Sequence, residues 1–143
     1  DLGVFLGNLL LLASRRYAEL DGESTIVFLI EEAGDVFEEF VQTFARCVLQ
    51  LEDRRTVLHS EFVQEFLLGV LSDGLGFAGV EMIRRTIGIG HVADLESIPD
   101  RSCRVAAERK SLEIAQHLIR NSASGRLHPG DISLLLRDLL AKP

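Results

Sequence analysis

Residues 76–98, with the sequence GFAGVEMIRRTIGIGHVADLESI, form the stretch around which the chain is organised. Its first part is small and apolar, as in a helix packed within a core, yet it carries two adjacent arginines, Arg84 and Arg85. Gly88 and Gly90 are expected to end this helix, because glycine weakens a helical backbone. The stretch therefore predicts a core helix with two cations near its end, followed by a loop.

The position of Arg84 on this helix is unusual. At about 100° per residue, four apolar residues share one side of the helix: Phe77, Val80, Ile83 and Ile87. Arg84 falls inside that arc, whereas Arg85 lies roughly a quarter turn away, near Glu81. A solvated arginine normally lies opposite the apolar side. Either Arg84 reaches the rim of the helix and forms a local ion pair, or it points into a cleft and binds an anion or a phosphate, which the planar guanidinium suits.

The loop after this helix carries His91, Asp94 and Glu96. Their spacing resembles that of metal ligands, but no fourth ligand and no zinc-type pattern accompanies them. A structural or hydrogen-bonding role is favoured, and no metal site is predicted. Ser97 to Asp100 resembles a capping box, with Pro99 in the first turn of the next helix.

Helices are expected on both sides of this stretch, and no convincing strand appears. The predicted helices cover about residues 2–20, 25–51, 57–72, 76–88, 97–120 and 131–140. The fold class is therefore all-α, with about six helices. Gly74, Gly76 and Gly79 spell G-x-G-x-x-G, but a helix precedes them and no βαβ unit is present, so a dinucleotide site is rejected. The glycines predict a junction between two tightly packed helices.

Composition limits the function classes. The 143 residues suffice for one domain with a core, and a net charge of −7 argues against nucleic-acid binding by a basic field. Cys47 and Cys103 form no disulfide framework, which favours the reducing cytoplasm. No signal peptide is found, and the apolar run 2–13 is shorter than the ~20 residues of a membrane span. The abrupt start inside a buried helix favours a fragment, a cropped domain or a processed piece.

No catalytic motif is visible in the residues themselves. The histidines are scattered, and no P-loop, H-E-x-x-H or C-x-x-C occurs. No catalytic residue is predicted in this segment. The helix at 25–51 has an apolar seam and an acidic face, which is ordinarily solvated. The seam also keeps open a different class of function, a non-catalytic helical module that binds a partner protein.

Two segments carry a resemblance to a known family. MIRRTIG followed by HVADLESI resembles the carboxyl-terminal part of the S-methyl-5-thioribose kinases, and the opening DLGVFLGNLLL resembles the segment just after their metal-binding loop. The resemblance implies the helical subdomain of a protein-kinase-like fold of the aminoglycoside-phosphotransferase type. It also implies transfer of phosphate from ATP, with Mg²⁺, to the 1-hydroxyl of methylthioribose in methionine salvage. The resemblance implies that the whole protein is a cytoplasmic enzyme and a homodimer, and no nucleic-acid or membrane partner is expected.

The resemblance also assigns roles to residues. Arg84 and Arg85 match the family's paired arginines, which face the methylthioribose and the transferred phosphate. Asp1 matches an aspartate that supports the catalytic loop. The nucleotide-binding lobe, catalytic loop and metal-binding loop precede the matched region in the family, so this segment alone is expected to be inactive. The absence of tryptophan departs from the family and could indicate another sugar, an amino alcohol or an aminoglycoside as the substrate.

The chain is expected to divide into two parts, because the resemblance fades after about residue 120 and a polar, Ser- and Gly-rich stretch follows. Residues 1–120 are expected to be the helical portion of the kinase-like domain. Residues 121–143 are expected to be a polar linker followed by a short terminal helix.

Overall fold

The computed structural model describes residues 2–19, 23–50, 60–123 and 129–141. Regular structure in these ranges is entirely helical, which confirms the all-α expectation. The six helices are α1 (Leu2–Ala18), α2 (Glu23–Gln50), α3 (Ser60–Ile87), α4 (Ala93–Glu96), α5 (Arg101–Ser122) and α6 (Pro129–Ala141). Asp1, the predicted support of the catalytic loop, lies outside the described residues.

Helix α3 is the centre of the bundle. It packs against α1 and α5, while α1 also contacts α2 and α5, and α6 lies on α2. The largest fully buried side chains come from five of the six helices and form one apolar core: Leu6, Leu10, Leu11, Ile30, Phe37, Leu75, Met82, Ile114, Leu118, Leu136 and Leu139. Burial of these side chains is the main source of stability.

The predicted junction around Gly74, Gly76 and Gly79 is wrong, because α3 runs through all three glycines without a break. The prediction of tight packing at these positions is correct. A Cβ atom on Gly79 would lie 2.7 Å from the carbonyl oxygen of Ala115, and one on Gly74 would lie 3.3 Å from the ring of Phe37. These glycines let neighbouring helices approach closely, and the packing offsets their low helix propensity, which costs about 1 kcal/mol each.

The apolar arc of α3 that contains Arg84 is not the buried face. Phe77, Val80 and Ile87 are 58%, 55% and 68% exposed. The buried face is formed instead by Leu71, Leu75, Ala78 and Met82. A helical wheel could not separate the two faces, because α3 is apolar on nearly every side. We call Phe77, Val80, Arg84 and Ile87, which follow one another at spacings of three and four, the exposed stripe of α3.

Residues Phe62–Ile87 are long and apolar enough to cross a membrane by length and composition alone. This observation is weak evidence for a span, since the central helix of a globular bundle has the same length and composition. Helix α3 occupies that central position between α1 and α5.

The predicted capping box at Ser97 is also wrong. Ser97 ends α4, and its backbone N–H donates to the carbonyl oxygen of Ala93 at 2.9 Å. Asp100 is the N-cap of α5 and accepts a hydrogen bond from the Cys103 N–H at 2.8 Å. Pro99 therefore precedes the helix. The sequence predicted a loop where the structure has α4. Because Ser97 is the C-cap of α4, α5 begins three residues later than predicted.

Asp100 makes the stability of α5 depend on pH. Hydrogen bonds from the Ser102 hydroxyl and from Cys103 lower the pKa of Asp100 from 3.8 to about 2. A lowered pKa means that the carboxylate stabilises the fold fully above pH 3.8 and that this contribution is lost as the pH falls through about 2. Asn caps helices as well as Asp does but does not titrate. We expect Asp100→Asn to lose less stability between pH 5 and pH 2 than the native protein, measured as the midpoint of urea unfolding.

An equal loss of stability in the two proteins would contradict this role of Asp100. The comparison within one pH series removes the effect of the other carboxyl groups, because both proteins carry them.

Candidate functional site

The two predicted arginines meet at one buried carboxylate near the end of α3. Glu81 has a side chain only 6% exposed. Arg84 donates to both of its oxygens, from Nε to Oε2 at 2.8 Å and from Nη2 to Oε1 at 2.7 Å. Arg85 donates from Nε to Oε1 at 2.8 Å. These three residues form what we call the arginine–glutamate cluster.

Helix α1 buries the carboxylate of this cluster. A Cβ atom on Gly7 would lie 3.3 Å from Cβ and 3.4 Å from Cγ of Glu81, so α1 passes directly over the stem of the glutamate. The Cβ would also lie 3.1 Å from the carbonyl oxygen of Ala78, so glycine at this crossing allows a closer approach than a larger residue would without adjustment. Gly3, one turn earlier, faces Gly74 and Phe77 in the same way.

The electrostatics of the cluster leave it positive. Burial raises the pKa of Glu81, but hydrogen bonds and positive charge from Arg85 and Arg84 outweigh that effect, so the pKa lies below its ordinary value. At neutral pH one carboxylate therefore faces two guanidinium groups, and the net charge is +1. The last turn of a helix also stabilises cations through the helix dipole.

The outer side of the cluster faces solvent beside Gly90. Arg84 is 53% exposed and Arg85 is 32% exposed. Arg85 Nη1 lies 3.4 Å from the carbonyl oxygen of Gly90, and a Cβ atom on Gly90 would lie 3.2 Å from Arg84 Nη1. Within the described residues, Arg84 Nη1 and Arg85 Nη2 have no hydrogen-bond partner. Such outward N–H groups with net positive charge suit an oxyanion such as a phosphate.

Sequence reasoning found both arginines but missed the part that Glu81 plays. The local ion pair considered for Arg84 is present, and the expected proximity of Arg85 to Glu81 is confirmed. The sequence did not predict that both arginines share the one buried carboxylate of Glu81. The available signal was spacing, since residues three and four apart on a helix are neighbours. The roles of Arg84 and Arg85 in substrate binding stay predictions.

The histidine loop provides a different kind of contact. His91 Nδ1 and Glu96 Oε1 lie 4.0 Å apart, and both side chains are about half exposed, at 46% and 49%. This contact is an ion pair only when the imidazole is protonated. Within the described ranges, no three His, Cys, Asp or Glu side chains come together as metal ligands, and Asp94 does not join the other two.

A buried cation elsewhere in the fold, Lys110, has a structural environment. Its ammonium group donates to the carbonyl oxygen of Leu139 at 3.2 Å, pairs with Glu113 at 3.0 Å and lies 4.6 Å from the centre of the Tyr17 ring. These contacts join α5 to α6 and α1. Lys110 thus binds the bundle together and is separate from the arginine–glutamate cluster.

A groove between α3 and α5 adjoins the exposed stripe. Its walls are largely apolar and include a few polar side chains. The lining residues are Ile83, Ile87, Leu112, Glu113, Gln116, Ile119 and Arg120. Because Ile87 belongs to both the groove and the exposed stripe, apolar surface continues from the groove to the position of Arg84.

Comparison with known proteins supports the resemblance seen in the sequence. No model of a protein family matches the chain. It is 35% identical over 120 residues to proteins named methylthioribose kinase from Bacillus cereus, Bacillus thuringiensis subsp. konkukian and Bacillus anthracis. The alignment covers 84% of this chain and 29% of each relative. The chain therefore spans less than a third of the length of the kinases to which it is similar.

Proposed function

We propose that this chain, a homologue of part of methylthioribose kinase, is the carboxyl-terminal helical portion of an enzyme that phosphorylates the 1-hydroxyl of methylthioribose. Arg84 and Arg85 would contact the substrate and the phosphate being transferred. The complete enzyme would act in methionine salvage, in the cytoplasm.

The single observation that best supports this proposal is the position of Arg84 in the exposed stripe of α3. Phe77, Val80 and Ile87 surround it with apolar surface, and Glu81 holds it from behind. Apolar surface of this kind marks a contact with another part of a protein. In a complete kinase, the remaining chain would cover the stripe, and Arg84 would then point into a partly desolvated space where its charge acts strongly.

The chemistry of phosphoryl transfer fits these groups. Such transfer depends mainly on positioning and on neutralising charge around the phosphoryl oxygens. The arginine–glutamate cluster has a net charge of +1 and outward N–H donors, so it fits phosphate oxygens. ATP would supply the phosphoryl group with Mg²⁺ on its phosphates. Carboxylates that bind Mg²⁺ would come from elsewhere in the enzyme, as the family resemblance implies.

The apolar groove beside the stripe offers a complementary environment for the substrate. Methylthioribose has a polar sugar and an apolar methylthio group. Ile83, Ile87 and Ile119 line the groove, and Gln116 and Arg120 supply polar groups. We propose that the methylthio end lies toward this groove and the sugar toward Arg84.

The test is calorimetric titration of the complete protein with methylthioribose, with and without MgADP, combined with an assay of phosphorylation by MgATP. We expect saturable binding and formation of the 1-phosphate, with a KM between about 1 μM and 1 mM. Absence of both binding and turnover in a folded protein would contradict the proposal.

A substrate panel decides between the remaining alternatives. Phosphorylation of another sugar, an amino alcohol or an aminoglycoside, but not of methylthioribose, would identify a related kinase. A folded protein that turns over none of these compounds would instead favour the non-catalytic interaction module. The exposed acidic face of α2, with Glu31, Glu32 and Glu38, would be its docking surface.

A further inference from the structure

We infer that Glu81 is a positioning residue, which fixes both guanidinium groups so that their outer N–H groups hold one phosphate beside Gly90. This inference deepens the proposed function and rests on it. Glu81 is buried beneath the arginines, so it would act through them without touching the substrate.

Glu81 occupies the inner edge of both guanidinium groups. Arg84 uses Nε and Nη2 to grip both oxygens of the carboxylate, at 2.8 and 2.7 Å. This two-point contact fixes the plane of the guanidinium as well as its position. Nη1 and the second hydrogen of Nη2 remain on the outer edge, where they can grip a second oxyanion in the same manner.

Arg85 is fixed by the same carboxylate from a neighbouring position. Its Nε donates to Oε1 of Glu81 at 2.8 Å, the oxygen that Arg84 Nη2 also contacts. One carboxylate oxygen therefore sets the distance between the two side chains. The outer ends of both arginines then lie beside Gly90, because Arg85 Nη1 is 3.4 Å from its carbonyl oxygen and a Cβ atom there would be 3.2 Å from Arg84 Nη1.

A second glutamate in the chain shows how this arrangement differs from an ordinary ion pair. Glu19 also accepts hydrogen bonds from two adjacent arginines, Arg15 at 2.9 Å and Arg16 at 3.4 Å. Its side chain is 21% exposed, against 6% for Glu81, and neither of its arginines binds it through two atoms. Burial and the two-point contact give Glu81 a single geometry, which is what preorganisation of a binding site requires.

The cluster has one negative charge for two positive charges. With one carboxylate for two arginines, the cluster is ordered without being neutralised, and its lowered pKa keeps Glu81 ionised. A second carboxylate would have cancelled the positive charge that attracts a phosphate. Without any carboxylate, the two arginines would have been mobile and would have repelled each other.

The test compares Glu81→Gln with Glu19→Gln in the complete protein. Both changes remove one carboxylate shared by two adjacent arginines, and only the first touches the cluster. We expect Glu81→Gln to lower kcat about 10- to 100-fold, because displacing a reacting group by about 1 Å can lower a rate by as much as 100-fold. The KM for ATP should be unchanged. Glu19→Gln should leave kcat unchanged. Thermal unfolding of each variant shows whether the folded fraction is the same.

A phosphate titration separates positioning from charge, without relying on the kinase reaction. Removing a negative charge should tighten binding of inorganic phosphate if Glu81 acts only through its charge. If it positions the arginines, binding should weaken by roughly threefold or more. Phosphate binding followed by the ³¹P chemical shift gives the dissociation constant directly. Equal or tighter binding in Glu81→Gln would overturn the inference.

A triple substitution, compared with the double arginine variant, distinguishes action through the arginines from a general structural role. In an Arg84→Ala, Arg85→Ala background, Glu81→Gln should cause no further loss of kcat, whereas independent effects would multiply. If Arg84→Ala is harmless, the proposed arginine role fails. If Arg84→Ala is damaging but Glu81→Gln is harmless, the present inference alone fails.

Discussion

Arg84→Ala in the complete enzyme is expected to lower kcat about 10²- to 10³-fold, the usual loss when one preorganised donor is removed from the site of developing charge. The fold should be unaffected, because the Arg84 side chain is 53% exposed and Glu81 keeps its contact with Arg85. The measurement is steady-state phosphorylation of methylthioribose, with circular dichroism and thermal unfolding to establish that the variant folds.

Arg104→Ala is the matched control for this prediction. Arg104 also lies on a helix and donates from Nε to a glutamate, Glu108, at 2.9 Å, and its side chain is 37% exposed. Losing this pair should change kcat by less than about twofold, since exposed pairs contribute little. Unchanged kinetics in Arg84→Ala would rule out its assignment to the substrate site.

Gly79→Ala is expected to destabilise the protein by about 1–3 kcal/mol, the usual cost of overpacking a core. Alanine favours a helix over glycine by about 1 kcal/mol, so propensity alone predicts the opposite sign. Packing decides the result, because the added Cβ would lie 2.7 Å from both the Ala115 carbonyl oxygen and Ile119 Cγ1. The difference is measured as the free energy of unfolding in urea.

Gly69→Ala provides the matched control on the same helix. A Cβ atom at this position would meet no atom within 4 Å. The substitution should therefore stabilise the protein by about 0.5–1 kcal/mol through helix propensity alone. If Gly79→Ala were equally stabilising, the close approach of α3 and α5 at this glycine would be wrong.

The two glycines also show which parts of the fold could be predicted from the sequence. The amphipathic pattern of α2 predicts a helix with Ile30 and Phe37 inward, and both are buried. In α3 the pattern does not predict the buried face, because apolar residues lie on nearly every side of the helix and no polar face marks the side that faces solvent. Glycines within it indicated a break, whereas tertiary contacts with Phe37 and Ala115 favour an unbroken helix.

The candidate site was predictable only in part for a related reason. Two arginines in an apolar segment are visible in the sequence, and their match to a family gives them a role. The burial of Glu81 depends on Gly7, which lies 74 positions away in the sequence and reaches the cluster only when α1 crosses α3. Local periodicity contains no information about such a crossing. The position of the outer ends of both arginines beside Gly90 likewise depends on how the chain turns after α3.

Because α3 is unbroken, one continuous helix connects its aromatic amino-terminal end to Arg84. It is 28 residues long, and its amino-terminal half carries Phe62 and Phe66, with the Phe66 ring stacked 5.1 Å from that of Phe44. Gly74, against which Gly3 of α1 packs, lies near the middle of this helix, and Arg84 lies about 15 Å beyond it. A tilt of roughly 5° at the aromatic end would move the guanidinium by about 1 Å, a displacement that can change a rate 100-fold.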